Sequence, residues 1–120
     1  MTSHPILAGR HILLVEDDFF VAHDLTLSLQ AAGAVVVGPV SSLASGRTVI
    51  RRTSRLDGAI MDINLGGELS YELIDMLLAR DVPVTFATGY DRQAVPAQYR
   101  DIPLCEKPLD MISCAKALFA

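Results

Sequence analysis

Four short clusters in this 120-residue chain carry side chains that could do chemistry. They are Glu16-Asp17-Asp18, Asp62-Ile63-Asn64, Thr88-Gly89 and Glu106-Lys107-Pro108. Brought to one place, they would offer carboxylates, a hydroxyl and an amine. Crowded carboxylates repel, and each resists ionising unless a cation joins them. A hard divalent ion with oxygen ligands resolves that conflict. Mg²⁺ takes near-octahedral oxygen coordination and keeps several waters, so one or two carboxylates suffice. Asp62 beside such an ion, an ammonium and a hydroxyl makes a phosphoryl-transfer site. The positive groups neutralise the phosphoryl oxygens, and a carboxylate can take the group covalently.

Such a site needs elements that deliver all four clusters to one edge, and the chain alternates two kinds of segment. Short apolar, β-branched runs occur at Ile12–Val15, Ala34–Val37, Ala59–Met61, Val82–Phe86 and Ile102–Leu104. Most lack period-two alternation, as expected for strands buried on both faces. Helical spacing fills the gaps. Val21, Leu25, Ser28, Leu29 and Ala32 share a face, with Gly33 where a C-terminal cap belongs. A second helix is expected from about Ser42 to Ser54. A third buries Leu73, Ile74, Leu77 and Leu78 and has Ser70 as its N-cap. A last one opens at Pro108 and carries Ile112, Ala115 and Phe119. Asp91 to Asp101 is polar and interrupted by Pro96, so a short or distorted fourth helix is expected there. Repeated βα units imply a parallel sheet with helices on both faces. Ligands of such sheets bind at the carboxyl ends of the strands, which is where the four clusters fall.

Composition narrows the partners. Ten Lys+Arg against fourteen Asp+Glu give a net charge of −4, and the pI is about 5.2. That balance offers no general attraction to nucleic-acid phosphates. Hydrophobic residues make up 51%, yet no apolar run reaches the ~18 residues of a membrane span. The start, Met-Thr-Ser-His-Pro, lacks the pattern of a secretory signal, so a cytoplasmic setting is expected. Cys105 and Cys114 match no zinc spacing and are read as free thiols. The length suits one domain.

The clusters Val15-Glu16-Asp17-Asp18, Met61-Asp62-Ile63-Asn64-Leu65, Thr88-Gly89 and Lys107-Pro108, in this order, resemble the receiver domain of two-component response regulators. The likeness spans about Arg10 to Phe119, leaving 1–9 as an N-terminal extension and 10–120 as the domain. It implies a flavodoxin-like (βα)5 three-layer sandwich with strand order 2-1-3-4-5. It implies that Asp62 is the phospho-acceptor, and that Asp17 and Asp62, with Glu16 through water and the Asn64 backbone carbonyl, hold Mg²⁺. It implies that the Thr88 hydroxyl and the Lys107 amine meet the phosphoryl group, and that the bond before Pro108 is often cis. The donor would be a phosphohistidine on a histidine kinase or phosphotransfer protein. The domain would be a signalling protein rather than an enzyme, changing partner binding or draining phosphate from a relay, with dimerisation left open. Phe86-Ala87-Thr88-Gly89-Tyr90 resembles the signature of a subfamily tied to alphaproteobacterial stress signalling, often as single domains. Leu104 stands where common receivers carry a rotating aromatic, which puts that switch in doubt.

Each residue also has a plainer reading. Asp18 suits an N-cap. Tyr90 is either a packed surface aromatic or a ring that shields the phosphoryl group from water. Arg47, Arg51, Arg52 and Arg55 read as a solvated helix face, with partner docking as the alternative. His4, His11 and His23 show no ligand spacing. Two other functions keep the same residues in view. One is a phosphorylation-independent interaction module of the same fold. The other is a small phosphohydrolase with a phosphoaspartate intermediate.

Overall fold

The computed structural model describes residues 6–88, 95–106 and 111–119. Among these residues, five strands form one parallel sheet. They are β1 (His11–Val15), β2 (Val35–Val40), β3 (Gly58–Met61), β6 (Val84–Thr88) and β7 (Leu104–Glu106), in the order β2-β1-β3-β6-β7. Counted as main strands, that is the expected 2-1-3-4-5. Two further short strands, β4 (Asn64–Leu65) and β5 (Glu68–Leu69), pair antiparallel outside the sheet. The helices are α1 (Phe19–Ala31), α2 (Leu43–Arg52), α3 (Tyr71–Leu78) and α4 (Met111–Phe119).

Alternation along a strand sends successive side chains to opposite faces, and β1 shows the result. Leu13 and Val15 join Ile50, Leu73, Ile74 and Leu77 in a core under α2 and α3. Ile12 and Leu14 join Leu25, Leu29, Cys114 and Leu118 in a second core under α1 and α4. The protein is therefore a three-layer sandwich whose central strands are buried on both sides. Leu7, fully buried, adds the segment before β1 to the second core.

Helix starts follow the local chemistry in two cases. The Asp18 carboxylate accepts the Phe20 and Val21 amides, so it caps α1. Ser42 Oγ accepts the Ser45 amide at the start of α2. The expected cap at Ser70 is not made: its side chain accepts no amide of α3. The hydroxyl donates instead to the Asp62 carbonyl. Within α1 the buried face is Ala22, Leu25 and Leu29, and Ser28 is exposed. Gly33 follows this helix in the left-handed region, with φ 95°.

Two strands begin two residues later than their apolar runs. The Val82 amide donates to Leu77 O, closing α3, and the Ile102 amide donates to Tyr99 O. Pro83 and Pro103 have no N–H to give a ladder, though their carbonyls accept from Ala59 and Phe86. β6 and β7 therefore start at Val84 and Leu104. Strand β2 runs on through Gly38-Pro39 to Val40, which is tolerated because it is an edge strand. Of the expected fourth helix, the described part is one 3-10 turn, Ala97–Tyr99. The bond before Pro108 lies outside the described residues.

The arginine-rich face is only partly a solvated one. Arg47 pairs in a fork with Glu72 on α3, and Arg55 lies 3.3 Å from Asp57. Arg51 and Arg52 are exposed.

Gly38 sits at φ 99°, where a Cβ would stand 2.8 Å from the Val40 nitrogen and 3.0 Å from Leu14 O. Gly38→Ala is expected to cost about 2 kcal/mol of unfolding free energy in urea. A second expectation concerns acid. The His11 amide and then Arg55 hold the Asp57 carboxyl below its ordinary pKa. A depressed pKa contributes stability above the unfolded-state value of about 3.9, and loses it as pH falls through the folded one. Urea midpoints between neutral and acid pH should fall less steeply in Asp57→Asn.

Candidate functional site

The site is built by register. Val15 of β1 pairs with Met61 of β3, and Met61 pairs with Phe86 of β6. The residues after each strand therefore emerge side by side. Glu16 and Asp17 follow β1, and Asp62 follows β3, with the Asp62 amide donating to Val15 O at 2.9 Å. Carboxylate oxygens of Glu16, Asp17 and Asp62 lie within 4.8 Å of one another. Glu16 is only 3% exposed, and its Oε2 accepts the Asp18 amide at 3.2 Å. Asp17 is exposed and Asp62 half-buried. The burial gradient leaves an open side toward solvent.

Three hard anionic oxygens at that spacing suit a hard divalent cation such as Mg²⁺, which keeps waters on its remaining positions. The donor set therefore fits the expected ion.

Thr88 is the last residue of β6 and pairs with Glu106, the last of β7. Register thus carries Thr88 to the same edge of the sheet. Lys107 and Tyr90 lie outside the described residues. Leu104 is half-buried opposite Phe86 and packs against the core.

Asn64 opens the small hairpin. Its Oδ1 accepts the Gly67 amide at 2.7 Å, and its amide donates to Asp62 Oδ1 at 3.4 Å. The side-chain oxygen is thus engaged in the turn. Gly66 and Gly67 both have positive φ, 62° and 96°, as a two-residue hairpin turn requires. The turn passes close to the acids, since a Cβ on Gly66 would lie 3.8 Å from Asp17 Oδ2. Sequence reasoning missed this hairpin, although Gly-Gly between Leu65 and Glu68 is its signal. It also missed Phe19 and Phe20, which are 74% and 78% exposed at the start of α1. A cavity of about 260 Å³, lined by Glu16, Asp17, Phe19, Ala22, Pro39 and Ser41, adjoins the cluster.

No protein-family model matches the chain, and no curated protein matches it. Solved structures do. The chain is 38% identical to SdrG from Sphingomonas melonis Fr1, covering 94% of each chain with a TM-score of 0.78. It is 38% identical to SdrG from Pseudomonas melonis Fr1 in its BeF3-activated conformation, over 92% of this chain and 94% of that one, with a TM-score of 0.75. The REC domain of the PhyR response regulator from Erythrobacter litoralis shares the fold, at 18% identity, 92% and 87% coverage and a TM-score of 0.78.

Crowded like charges predict a sign reversal. Without divalent cations, Asp17→Asn should stabilise the fold by about 1 kcal/mol, the repulsion of two charges at this spacing in water. In saturating Mg²⁺ the parent should gain more than the variant and become the more stable of the two. Thermal melts with and without chelator measure both arms.

Proposed function

Because the chain belongs to the response regulator receiver family, we propose that Asp62 accepts a phosphoryl group from a phosphohistidine of a histidine kinase or phosphotransfer protein. The observation that carries this reading is the convergence of Glu16, Asp17 and Asp62 oxygens at the carboxyl edge of a parallel sheet. The likeness to SdrG, a protein solved in a BeF3-activated conformation, supports it.

The step balances simply. An Asp62 carboxylate oxygen attacks phosphorus, an O–P bond forms and the P–N bond breaks. The electron pair stays on the imidazole nitrogen, which takes up a proton as it leaves. Asp62 is suited to attack because its backbone is fixed at a strand end while its carboxylate remains half-buried. Glu16, Asp17 and Asp62, with the Asn64 carbonyl, would hold Mg²⁺. When bound, the ion supplies positive charge against the phosphoryl oxygens. The Thr88 hydroxyl donates to a phosphoryl oxygen, and the Lys107 ammonium pairs first with Asp62 and then with the phosphoryl group.

The product carries a charge of about −2 where a single carboxylate charge stood. That change shifts the surrounding loops between two populations and alters partner affinity. The protein acts as a cytoplasmic signalling protein, modifying itself rather than turning over a substrate.

Incubation with acetyl phosphate and Mg²⁺ should add the mass of one phosphoryl group to the intact chain. Asp62→Asn should abolish the addition, and chelation of Mg²⁺ should suppress it. A parent chain that stays unmodified and binds no beryllofluoride would replace this reading with a phosphorylation-independent module. Sustained multiple turnover of a phosphomonoester would replace it with a phosphohydrolase.

A further inference from the structure

Ser70 is fully buried, a polar side chain in the base of the small hairpin. It stands at the first position before α3, where a serine ordinarily accepts a helix amide. Its side chain does not do so here. Its hydroxyl instead donates to the Asp62 carbonyl at 2.7 Å, and its own amide donates to the Ile63 carbonyl at 2.8 Å. One residue thus grips two consecutive carbonyls, those of the acceptor and of the residue after it.

The consequence for Asp62 is geometric. Its amide is held by Val15 O of the sheet, and its carbonyl by Ser70. The carboxylate hangs one carbon from that backbone. Fixing the peptide planes on both sides fixes the direction of the Cα–Cβ bond, and so narrows the arc that the carboxylate can sweep at the strand end. A buried hydroxyl without a partner is costly, so the bond is self-enforcing in this apolar setting. The Ser70 hydroxyl thus meets the Asp62 backbone carbonyl rather than its carboxylate. The same contact ties the acceptor to the hairpin, whose turn passes close to Asp17.

We propose that Ser70 is a positioning residue for Asp62: its buried hydroxyl, given up as a helix cap, aims the acceptor carboxylate at the acid cluster. This rests on the phospho-acceptor reading only for the phosphoryl readout. The cation readout stands apart from it.

The experiment compares parent, Ser70→Ala, Ser70→Thr and Ser70→Cys. Mg²⁺ affinity is measured by calorimetry, phosphorylation by acetyl phosphate through intact mass, and Tm without divalent cations. Loss of a partner that orients a metal ligand commonly costs 10–100-fold. Ser70→Ala should weaken Mg²⁺ binding and slow phosphorylation by about 10-fold, while Tm falls by a few degrees, since one buried hydrogen bond is lost and no helix cap. Ser70→Thr keeps the hydroxyl but adds a methyl to a full core. It should lose Tm and retain affinity, the opposite split. Should Ser70→Ala fail to fold, Ser70→Cys, close in volume but a weak donor, carries the same expectation as a smaller loss.

Parent-like Mg²⁺ affinity in Ser70→Ala, or in Ser70→Cys if that variant must serve, overturns the proposal. So does a Ser70→Thr as weak as Ser70→Ala, or a parent that binds no Mg²⁺. A parent that binds Mg²⁺ but takes no phosphoryl group ends the acceptor reading, and the affinity ratio of the Ser70 variants still decides the positioning role.

Discussion

Crowding three carboxylates within 4.8 Å is the constraint around which this receiver is organised. In water each such pair repels by about 1 kcal/mol, and burial of Glu16 removes much of the solvent that would relieve it. The fold holds the acids together because their positions are set by strands, whose cohesion comes from elsewhere. β1 and β3 are buried on both faces, and each fully buried Leu or Ile contributes about 1.5–3 kcal/mol. Backbone pairing of Val15 with Met61 then leaves Glu16 and Asp62 no choice of neighbour. The first turn of α1 helps locally: the Asp18 amide meets Glu16, and Asp18 itself is engaged as the cap. That separates the third acid of the run from the cluster.

The other edge residues arrive through the same logic of backbone accounting. Pro83 and Pro103 cannot donate to a ladder, and Val82 and Ile102 use their amides to close the turns before them. Both strands are thereby displaced toward their carboxyl ends. Had β6 stopped at Phe86, Thr88 would belong to a loop. As built, it occupies the last ladder position, opposite Glu106. Its backbone is thereby held by the sheet, and strand positions are placed more precisely than loop positions.

Around this rigid edge lie two less regular features. The Asn64–Leu69 hairpin passes close to Asp17 through a two-glycine turn held by the Asn64 side chain. Helix α1 buries Ala22, Leu25 and Leu29, yet exposes Phe19, Phe20 and Leu27. Its apolar character on both sides explains why the sequence stripe included Ser28, which in the fold faces solvent. A helix with apolar residues on both its buried and exposed sides gives periodicity little to choose between.

How much was legible follows from which signals are local. Apolar β-branched runs, helical spacing and the residue types after each run are properties of neighbouring residues. They suffice for a parallel α/β sheet and for placing Glu16, Asp17, Asp62 and Thr88 at strand ends. The Asp18 cap was equally local, three residues reaching along one turn. Ser70 shows where this stops. A serine before a helix has two partners within reach, the amides ahead of it and whatever carbonyl the chain has folded back to present. Only the tertiary structure supplied that carbonyl, Asp62 O, eight positions earlier. The same holds for the acids themselves. Sequence determined which oxygens stand at strand ends; the pairing of β1 with β3 decided that three of them meet, because hydrogen-bond register is a relation between distant segments.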